Sequence, residues 1–232
     1  MKILLLIVLS AGLAFSARGQ MPFNDAGLYE QVGELHNEIF NFVKDNPPGP
    51  ATEKDIVQAM DEYLGMMNSN ITASEILNAE YREAAQQFRA ASDKAQFLMD
   101  DAGFSTQGAG YYTQMIKGLS TNDYEKLYNT LVSLEEKISR DKSLNTHEKR
   151  LLLIASAIGR FSAFNWITNT SGSSSDQKVW VADALGAIEG GACGAATFGV
   201  ITIGTAVIPG WVSGALFGAA RGSIMAWLSN LE

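Results

Sequence analysis

The sequence predicts an all-α protein, an antiparallel helical bundle followed by a glycine-rich helical hairpin. From residue 25 to residue 169, apolar residues recur at helical spacing, and no stretch alternates with a period of two. The connectors between these segments are short, which favours antiparallel neighbours. Beyond residue 178, small residues recur every four positions, a pattern typical of closely packed helix pairs.

Composition excludes several classes of protein. The 232 residues carry a net charge of −8, one cysteine and 18% charged residues. A basic nucleic-acid binder, a disulfide scaffold and a disordered acidic chain are therefore excluded. Of the 17 basic and 25 acidic residues, only four lie beyond residue 178, namely Asp183, Glu189, Arg221 and Glu232. The chain thus joins an acidic helical part to a nearly uncharged tail.

The first nineteen residues have the pattern of a secretory signal peptide. Lys2 precedes an apolar run at 3–9, and small residues follow up to Gly19. We expect cleavage after Gly19, which leaves Gln20 as the mature N-terminus, although residues 14–16 permit a cut three positions earlier. The run is too short to cross a bilayer of about 30 Å. A lone cysteine, Cys193, makes no intrachain disulfide, so the exported fold must depend on apolar burial.

The first two helices have clear limits. The first is predicted by a 4-3-4-3 apolar spacing and must stop before Pro47 and Pro48. Thr52 is expected to cap the second. The residues that define the two apolar faces are Leu28, Val32, Leu35, Ile39 and Phe42, then Ile56, Val57, Met60 and Leu64.

One long central helix is predicted over residues 72–101. Thr72 and Glu75 have capping-box spacing, and a strict heptad seam follows. Gly103 is suited to end this helix. The residues of the seam are Leu77, Tyr81, Ala84, Phe88, Ala91, Ala95 and Leu98.

Three further helices complete the predicted bundle, which covers residues 20–169. After a connector containing Gly103, Gly108 and Gly110, a short helix is expected at 111–119. A longer helix, opened by Thr121 or Asn122, has Tyr124, Leu127, Leu131, Leu134 and Ile138 inside and Glu135, Glu136 and Lys137 outside. The last runs over residues 146–167 and has Glu148 in its first turn, favourable to the helix dipole. Residues 170–178 are predicted to be a flexible Gly/Ser linker.

Rows of small residues four apart define the tail, residues 179–232. Glycine costs a solvated helix about 1 kcal/mol relative to alanine, so these helices need close backbone packing or a membrane. The rows are Gly186, Gly190 and Gly194; Ala187, Gly191, Ala195 and Gly199; and Gly210, Gly214, Gly218 and Gly222.

A helical hairpin is the predicted form of this tail, with arms at 179–208 and 211–231 and a turn at Pro209-Gly210. Each arm approaches the roughly 20 residues that span a membrane. The tryptophans Trp180, Trp211 and Trp227 stand where interfacial tryptophans concentrate. Asp183 and Glu189 interrupt the first arm, so each must be neutralised, paired or interfacial. Glu189 and Arg221 lie at different distances from the turn and are not expected to face each other.

The tail resembles class II bacteriocin peptides, which are small membrane-active toxins rich in GxxxG. Leu185, Ile188, Gly190 and Gly191 are similar to the −7, −4, −2 and −1 positions of a double-glycine leader. The match covers about the last fifty residues, and Ala184 stands where an acidic residue is usual. The resemblance implies membrane activity and processing after Gly191, whereas the glycine rows explain the same residues by packing alone.

No motif for catalysis, cofactor binding or metal binding is found in the sequence. His36 and His147 lack a histidine partner at helical spacing, so we interpret them as solvated or capping residues. Cys193 has only Gly, Ala and Thr neighbours and no base to activate it. We therefore expect a protein that is not an enzyme and has neither a cofactor nor a nucleic-acid partner.

Three functions remain open from the sequence. The first is an exported membrane-interacting protein whose glycine hairpin inserts into lipid or self-associates. The second is a bacteriocin-like toxin or its precursor, kept soluble by the helical domain. In the third, the hairpin packs back on the bundle and is a structural element of one soluble α-domain. These functions differ in where the hairpin lies.

Overall fold

The computed structural model describes residues 26–46, 52–169, 174–193, 200–204 and 206–228. Within these ranges the chain forms ten helices and one two-stranded antiparallel sheet, and the all-α prediction is confirmed. The predicted signal peptide lies outside the described residues. The elements are α1 (Ala26–Asp45), α2 (Glu53–Met66), α3 (Ala73–Ile76), α4 (Ala79–Ala90), α5 (Lys94–Asp100), α6 (Thr106–Leu119), α7 (Tyr124–Arg140), α8 (Thr146–Asn169), α9 (Ser174–Cys193), β1 (Val200–Ile203), β2 (Ala206–Pro209) and α10 (Gly210–Leu228).

The first two helices follow their sequence signals. α1 buries Val32 and Ile39 and ends at Asp45, just before the proline-rich segment. The Thr52 hydroxyl accepts the backbone N–H of Asp55 at the start of α2, and the Asp55 carboxylate accepts the backbone N–H of Thr52 at 2.9 Å. This reciprocal pair is a capping box, so the predicted cap is confirmed.

The prediction of one helix over residues 72–101 is wrong, because three short helices, α3, α4 and α5, occupy this range. The capping box at Thr72 is present, yet α3 ends after four residues. Asp93 starts α5 by accepting a backbone N–H bond, and Lys94 donates to two carbonyl oxygens at the end of α4. Side-chain bonds to the backbone thus end one helix and begin the next despite the continuous heptad pattern.

Glu148 connects the beginnings of α6 and α8. Its carboxylate accepts both the N–H and the hydroxyl of Ser105 at 2.6 Å, and it completes a capping box with Asn145. A Cβ atom on Gly108 would overlap this carboxylate. α6 therefore begins earlier than predicted, and Gly108 and Gly110 lie inside it rather than in a connector.

α7 is the most regular amphipathic helix of the bundle. Asp123, rather than Thr121 or Asn122, caps it by accepting the backbone N–H of Lys126 at 3.1 Å. Its buried face contains the predicted apolar residues Leu127, Leu131, Leu134 and Ile138, and it packs on α8.

The tail differs from the predicted helical hairpin, because a β-hairpin stands between its two helices. Val200 pairs with Pro209 and Ile203 with Ala206, so Pro209 ends β2, and Gly210 begins α10. Gly204 adopts a positive φ of 61° at the turn, which glycine tolerates best. The β-branched residues of 200–208 favour extended backbone over helix.

The helices of the tail lie against the bundle. α9 begins at Ser174, so residues 174–178 of the predicted linker are helical. α9 packs on α10 and α8, and α10 also packs on α1. One continuous apolar core includes Ile154 of α8, Trp180 of α9 and Phe217 of α10. Among the described residues, no helix combines the length and apolar character required to cross a membrane.

Candidate functional site

The predicted glycine rows meet at the contact between α9 and α10, which we call the glycine seam. At three levels of this antiparallel contact, a Cβ atom would collide with the backbone of the opposite helix: Gly186 with Gly218, Gly190 with Gly214, and Gly222 with Ala182. The two backbones thus touch directly, an approach that a larger residue would prevent.

The remaining predicted glycines have different surroundings. A Cβ atom on Gly191 would overlap the Leu151 side chain of α8 and would lie 3.5 Å from Ala215 of α10. The second row therefore approaches the bundle as well as α10. Gly210 is the first residue of α10. Gly194 and Gly199 lie outside the described residues.

The three predicted interfacial tryptophans do not share one environment. Trp180 is fully buried, contrary to its expected interfacial position, and its indole N–H donates to the carbonyl oxygen of Leu119 at 2.9 Å. Trp227 is partly buried and meets Phe40 edge to face, with ring centroids 6.1 Å apart. The Trp211 side chain lies outside the described residues. Trp180 thus connects the tail to the end of α6.

Glu189, one of the two discordant acids of the tail, is paired with two arginines. Its Oε1 atom lies 3.2 Å from Arg89 of α4 and 3.8 Å from Arg221 of α10. The prediction that Glu189 and Arg221 do not face each other is therefore wrong.

The register of the glycine seam explains this pairing. Gly186 lies opposite Gly218, so the antiparallel register is centred at residue 202 rather than at Pro209. Arg221 is then only about six residues, or roughly 9 Å along the axis, from the level of Glu189. The long arginine side chain spans this distance.

His36 and Asp183 form a second polar cluster, between α1 and the tail. Their exposed fractions are 1% and 0%, and His36 Nε2 lies 3.8 Å from Asp183 Oδ2 and 3.0 Å from Ser223 Oγ. The interpretation of His36 as solvated or capping is wrong. Its 4-3 spacing with Val32 and Ile39, both buried, was the signal that could have placed it inside.

Asn37 determines which nitrogen of His36 carries the fixed proton. The Asn37 amide donates to the carbonyl oxygen of Phe161 at 3.0 Å, so its own oxygen faces His36 Nδ1 at 3.1 Å. By this hydrogen-bond assignment, Nδ1 is the donor. The Ser223 hydroxyl donates to the carbonyl oxygen of Ala219 at 3.2 Å. His36 Nε2, 3.0 Å from Ser223 Oγ, is then left to take a second proton, which that oxygen can accept.

Burial controls the protonation of this pair. It raises the pKa of Asp183 to about 8, against the opposite effect of the Ser162 and Ser223 hydroxyls, and it lowers the pKa of His36 to about 4. Neither Asp183 oxygen accepts a hydrogen bond of normal geometry from the described residues. Both groups are therefore neutral at pH 7, with one titratable proton held by the pair.

Serine, histidine and aspartate together invite comparison with a catalytic triad. In a triad the serine and the acid contact opposite nitrogens of the imidazole. Ser223 and Asp183 both face Nε2 of His36, and all three residues are buried. This geometry does not activate the serine.

A third cluster, between α7 and α8, is a complete ion pair. Arg160 donates to both carboxylate oxygens of Glu135 at 2.8 and 3.2 Å, and Ser156 donates to the same carboxylate at 2.6 Å. Glu135 is 2% exposed, so its predicted outward position is wrong. Glu135 has a 4-3 spacing with the buried Leu131 and Ile138, but its partner Arg160 on α8 is not visible from the spacing of α7 alone.

The described residues contain no group of three or more His, Cys, Asp or Glu side chains placed to bind a metal ion. His147 is exposed, partial desolvation lowers its pKa, and its ring stands 6.5 Å from that of Phe104. The Cys193 side chain lies outside the described residues. Tyr111, Glu136 and Asp141 line a shallow surface depression, where Tyr111 donates to Asp141 at 2.9 Å.

Comparison with protein-family models, curated proteins and solved structures finds no match to this chain.

Proposed function

We propose that this protein is an exported, non-enzymatic protein whose glycine-rich tail is the structural centre of a single α-helical domain. The glycine seam is the observation that carries the proposal. Its small residues already meet each other across α9 and α10, with Gly186 on Gly218 and Gly190 on Gly214. Because the glycine row of α9 is covered by the glycine row of α10, it leaves no free groove for a lipid chain or for a second copy of the protein.

Polar contacts between the tail and the bundle support the same function. Trp180 donates to the carbonyl oxygen of Leu119, and Glu189 pairs with Arg89. Insertion into a membrane would break these contacts and carry Glu189 into lipid without its bundle arginine, at high cost. A tail built as an internal element keeps each contact.

The non-enzymatic part of the proposal depends on the polar clusters. His36 and Asp183 are enclosed, and the Glu135–Arg160 pair is fully engaged with itself and Ser156. Buried groups of this kind fix the positions of helices rather than meet a substrate. Export is inferred from residues 1–19, and sequencing of the mature N-terminus, expected at Gln20, tests it.

Limited proteolysis and vesicle flotation of residues 20–232 test where the tail lies. In detergent-free buffer we expect the protein to be monodisperse, residues 179–193 and 210–228 to resist trypsin and chymotrypsin, and the protein to remain below the lipid fraction. The Gly190→Leu variant should lose this protection because leucine cannot fit against Gly214. Gly110→Leu is the matched control, since a Cβ atom there meets nothing within 4 Å.

Flotation of the wild-type protein with vesicles, together with protease cleavage inside residues 179–193 or 210–228, would contradict the structural role. That result would favour a second candidate, a membrane-interacting or bacteriocin-like protein whose tail is released from the bundle. Residues 212–220 favour this candidate, because all nine are uncharged and buried. Release would expose an apolar surface suited to a membrane. Dye leakage from anionic vesicles would separate a toxin from a protein that only binds lipid.

A further inference from the structure

The carboxyl group of Asp183 on α9 is enclosed by residues of three other helices, and among the described residues no lysine or arginine pairs with it. Its side chain is 0% exposed, and neither oxygen accepts a normal hydrogen bond from the described residues. His36 of α1, Ser162 of α8 and Ser223 of α10 face it. A carboxylate in such surroundings is costly unless it is neutralised.

The charged groups of the packed helices are engaged or directed elsewhere. Arg221 of α10 and Arg89 of α4 pair with Glu189, and Arg160 of α8 pairs with Glu135. Glu34 and Glu38, the charged residues of α1 nearest to His36 in sequence, are exposed, and so is Lys117 of α6. His36 is therefore the titratable partner of Asp183.

We infer that His36 and Asp183 form a proton-dependent contact between α1 and the two tail helices, closed while the pair holds one proton and loosened when that proton is lost. Asn37 keeps one proton on His36 Nδ1. The remaining proton lies on the Asp183 carboxyl, 3.8 Å from His36 Nε2, because burial favours the neutral form of both groups. Its departure leaves a bare carboxylate beside the glycine seam, and water must enter to solvate it.

The direction of the pH effect follows from the protons bound by each state. The folded pair gains its second proton near pH 4 and loses its first near pH 8, whereas the unfolded residues titrate at about 6.5 for histidine and about 3.9 for aspartate. Between pH 4 and 6.5 both states hold one proton, so the pair adds no pH dependence. Between pH 6.5 and 8 the folded state holds one proton more. The folded state therefore loses stability as pH rises through this window, by about 30-fold in the unfolding equilibrium constant.

Denaturant unfolding of residues 20–232 from pH 6 to 9 tests this inference. The wild-type protein should show the roughly 30-fold rise in the unfolding constant, and Asp183→Asn, which retains the shape without the titration, should lose it. Asp45→Asn removes an exposed carboxylate from the end of α1 and should retain it. The same rise in Asp183→Asn as in the wild type would overturn the inference.

Two measurements on the wild-type protein make the test independent of whether Asp183→Asn folds. Infrared titration should show the C=O stretch of a buried protonated carboxyl at pH 7 that disappears with a midpoint near 8; its absence at pH 7 would refute the inference. Hydrogen exchange, corrected for the intrinsic effect of pH, should show protection lost above pH 8 at the contacts of α1, α9 and α10 before α7. A uniform loss of hydrogen-exchange protection across all helices would contradict the inference that deprotonation loosens only this contact.

Discussion

The α7–α8 contact and the glycine seam hold helix pairs together by opposite means. α7 presents leucine and isoleucine side chains to α8, so stability there comes from apolar area removed from water. α9 and α10 instead bring backbone against backbone, so stability comes from many short contacts and the absence of side chains between them. The first contact should therefore be sensitive to truncation and the second to enlargement.

Gly190→Ala should have the largest effect and tests the glycine seam directly. The added Cβ atom would collide with the Gly214 carbonyl and lie 3.0 Å from Gly218 Cα, so the helices must separate along the whole seam. We expect a loss of about 4 kcal/mol or more in the free energy of unfolding, measured by urea denaturation. A loss below 1 kcal/mol would show that the backbones are not in contact.

Leu131→Ala should have the next largest effect and tests the apolar packing of α7, where the Leu131 side chain lies beside Gly118 of α6. Leu131 is fully buried, and its truncation removes apolar area and leaves a cavity. The expected loss is about 3 kcal/mol, measured by the same denaturation. Leu131→Met, which nearly conserves volume, is the control and should cost less than about 1.5 kcal/mol. Equal losses for the two variants would mean that side-chain area is not what holds α7.

Asn145→Ala should have a smaller effect, because it removes one capping hydrogen bond and no buried side chain. It tests the start of α8, the helix that packs on both α7 and α9. The variant removes the acceptor for the Glu148 backbone N–H. We expect a loss of about 1 kcal/mol, visible as a lower thermal midpoint. Asn145→Asp, which keeps an acceptor, should recover most of it. A loss confined to α7 or to α9 in hydrogen exchange would show that α8 does not connect the two contacts.

Gly110→Ala should have the smallest effect and the opposite sign. Gly110 lies inside α6 and has open space where a Cβ atom would stand. Alanine is the better helix former, so the protein should gain between about 0.5 and 1 kcal/mol. If Gly110→Ala instead destabilised the protein, replacing glycine would be unfavourable even where no helix faces it. The loss in Gly190→Ala could then not be assigned to contact between the two backbones.

Helical spacing predicted most of the bundle because α1, α2, α7 and α8 each have one buried face. It failed at residues 72–101, where Asp93 and Lys94 bond to the backbone and divide one heptad pattern into separate helices. It also failed at 200–209, where glycine-rich flanks concealed a run of β-branched residues. The sequence shows the rows of small residues, but it does not show which glycine of α9 lies opposite which glycine of α10.

Buried polar residues were the least predictable part of the candidate site. Glu135 and His36 have charged or polar neighbours in sequence but lie in 4-3 spacing with buried apolar residues, and each is buried beside a partner on another helix, Arg160 and Ser223 respectively. Periodicity describes one helix at a time. The partner that makes a buried charge tolerable is known only when two helices are placed together.

The β-hairpin between α9 and α10 has a consequence for the order of folding. Thr202 donates its backbone N–H to the Asn70 side chain across 132 positions, and Gly204 donates to the carbonyl oxygen of Met67. α10 also packs on α1, near the other end of the described chain. Contacts of such long range are formed late and slow the folding of a domain. The face of α1 that packs on α10 therefore stays uncovered until synthesis has passed residue 228, whereas its face on α8 can be covered earlier. Shortening the C-terminus should leave this part of α1 with an exposed apolar face.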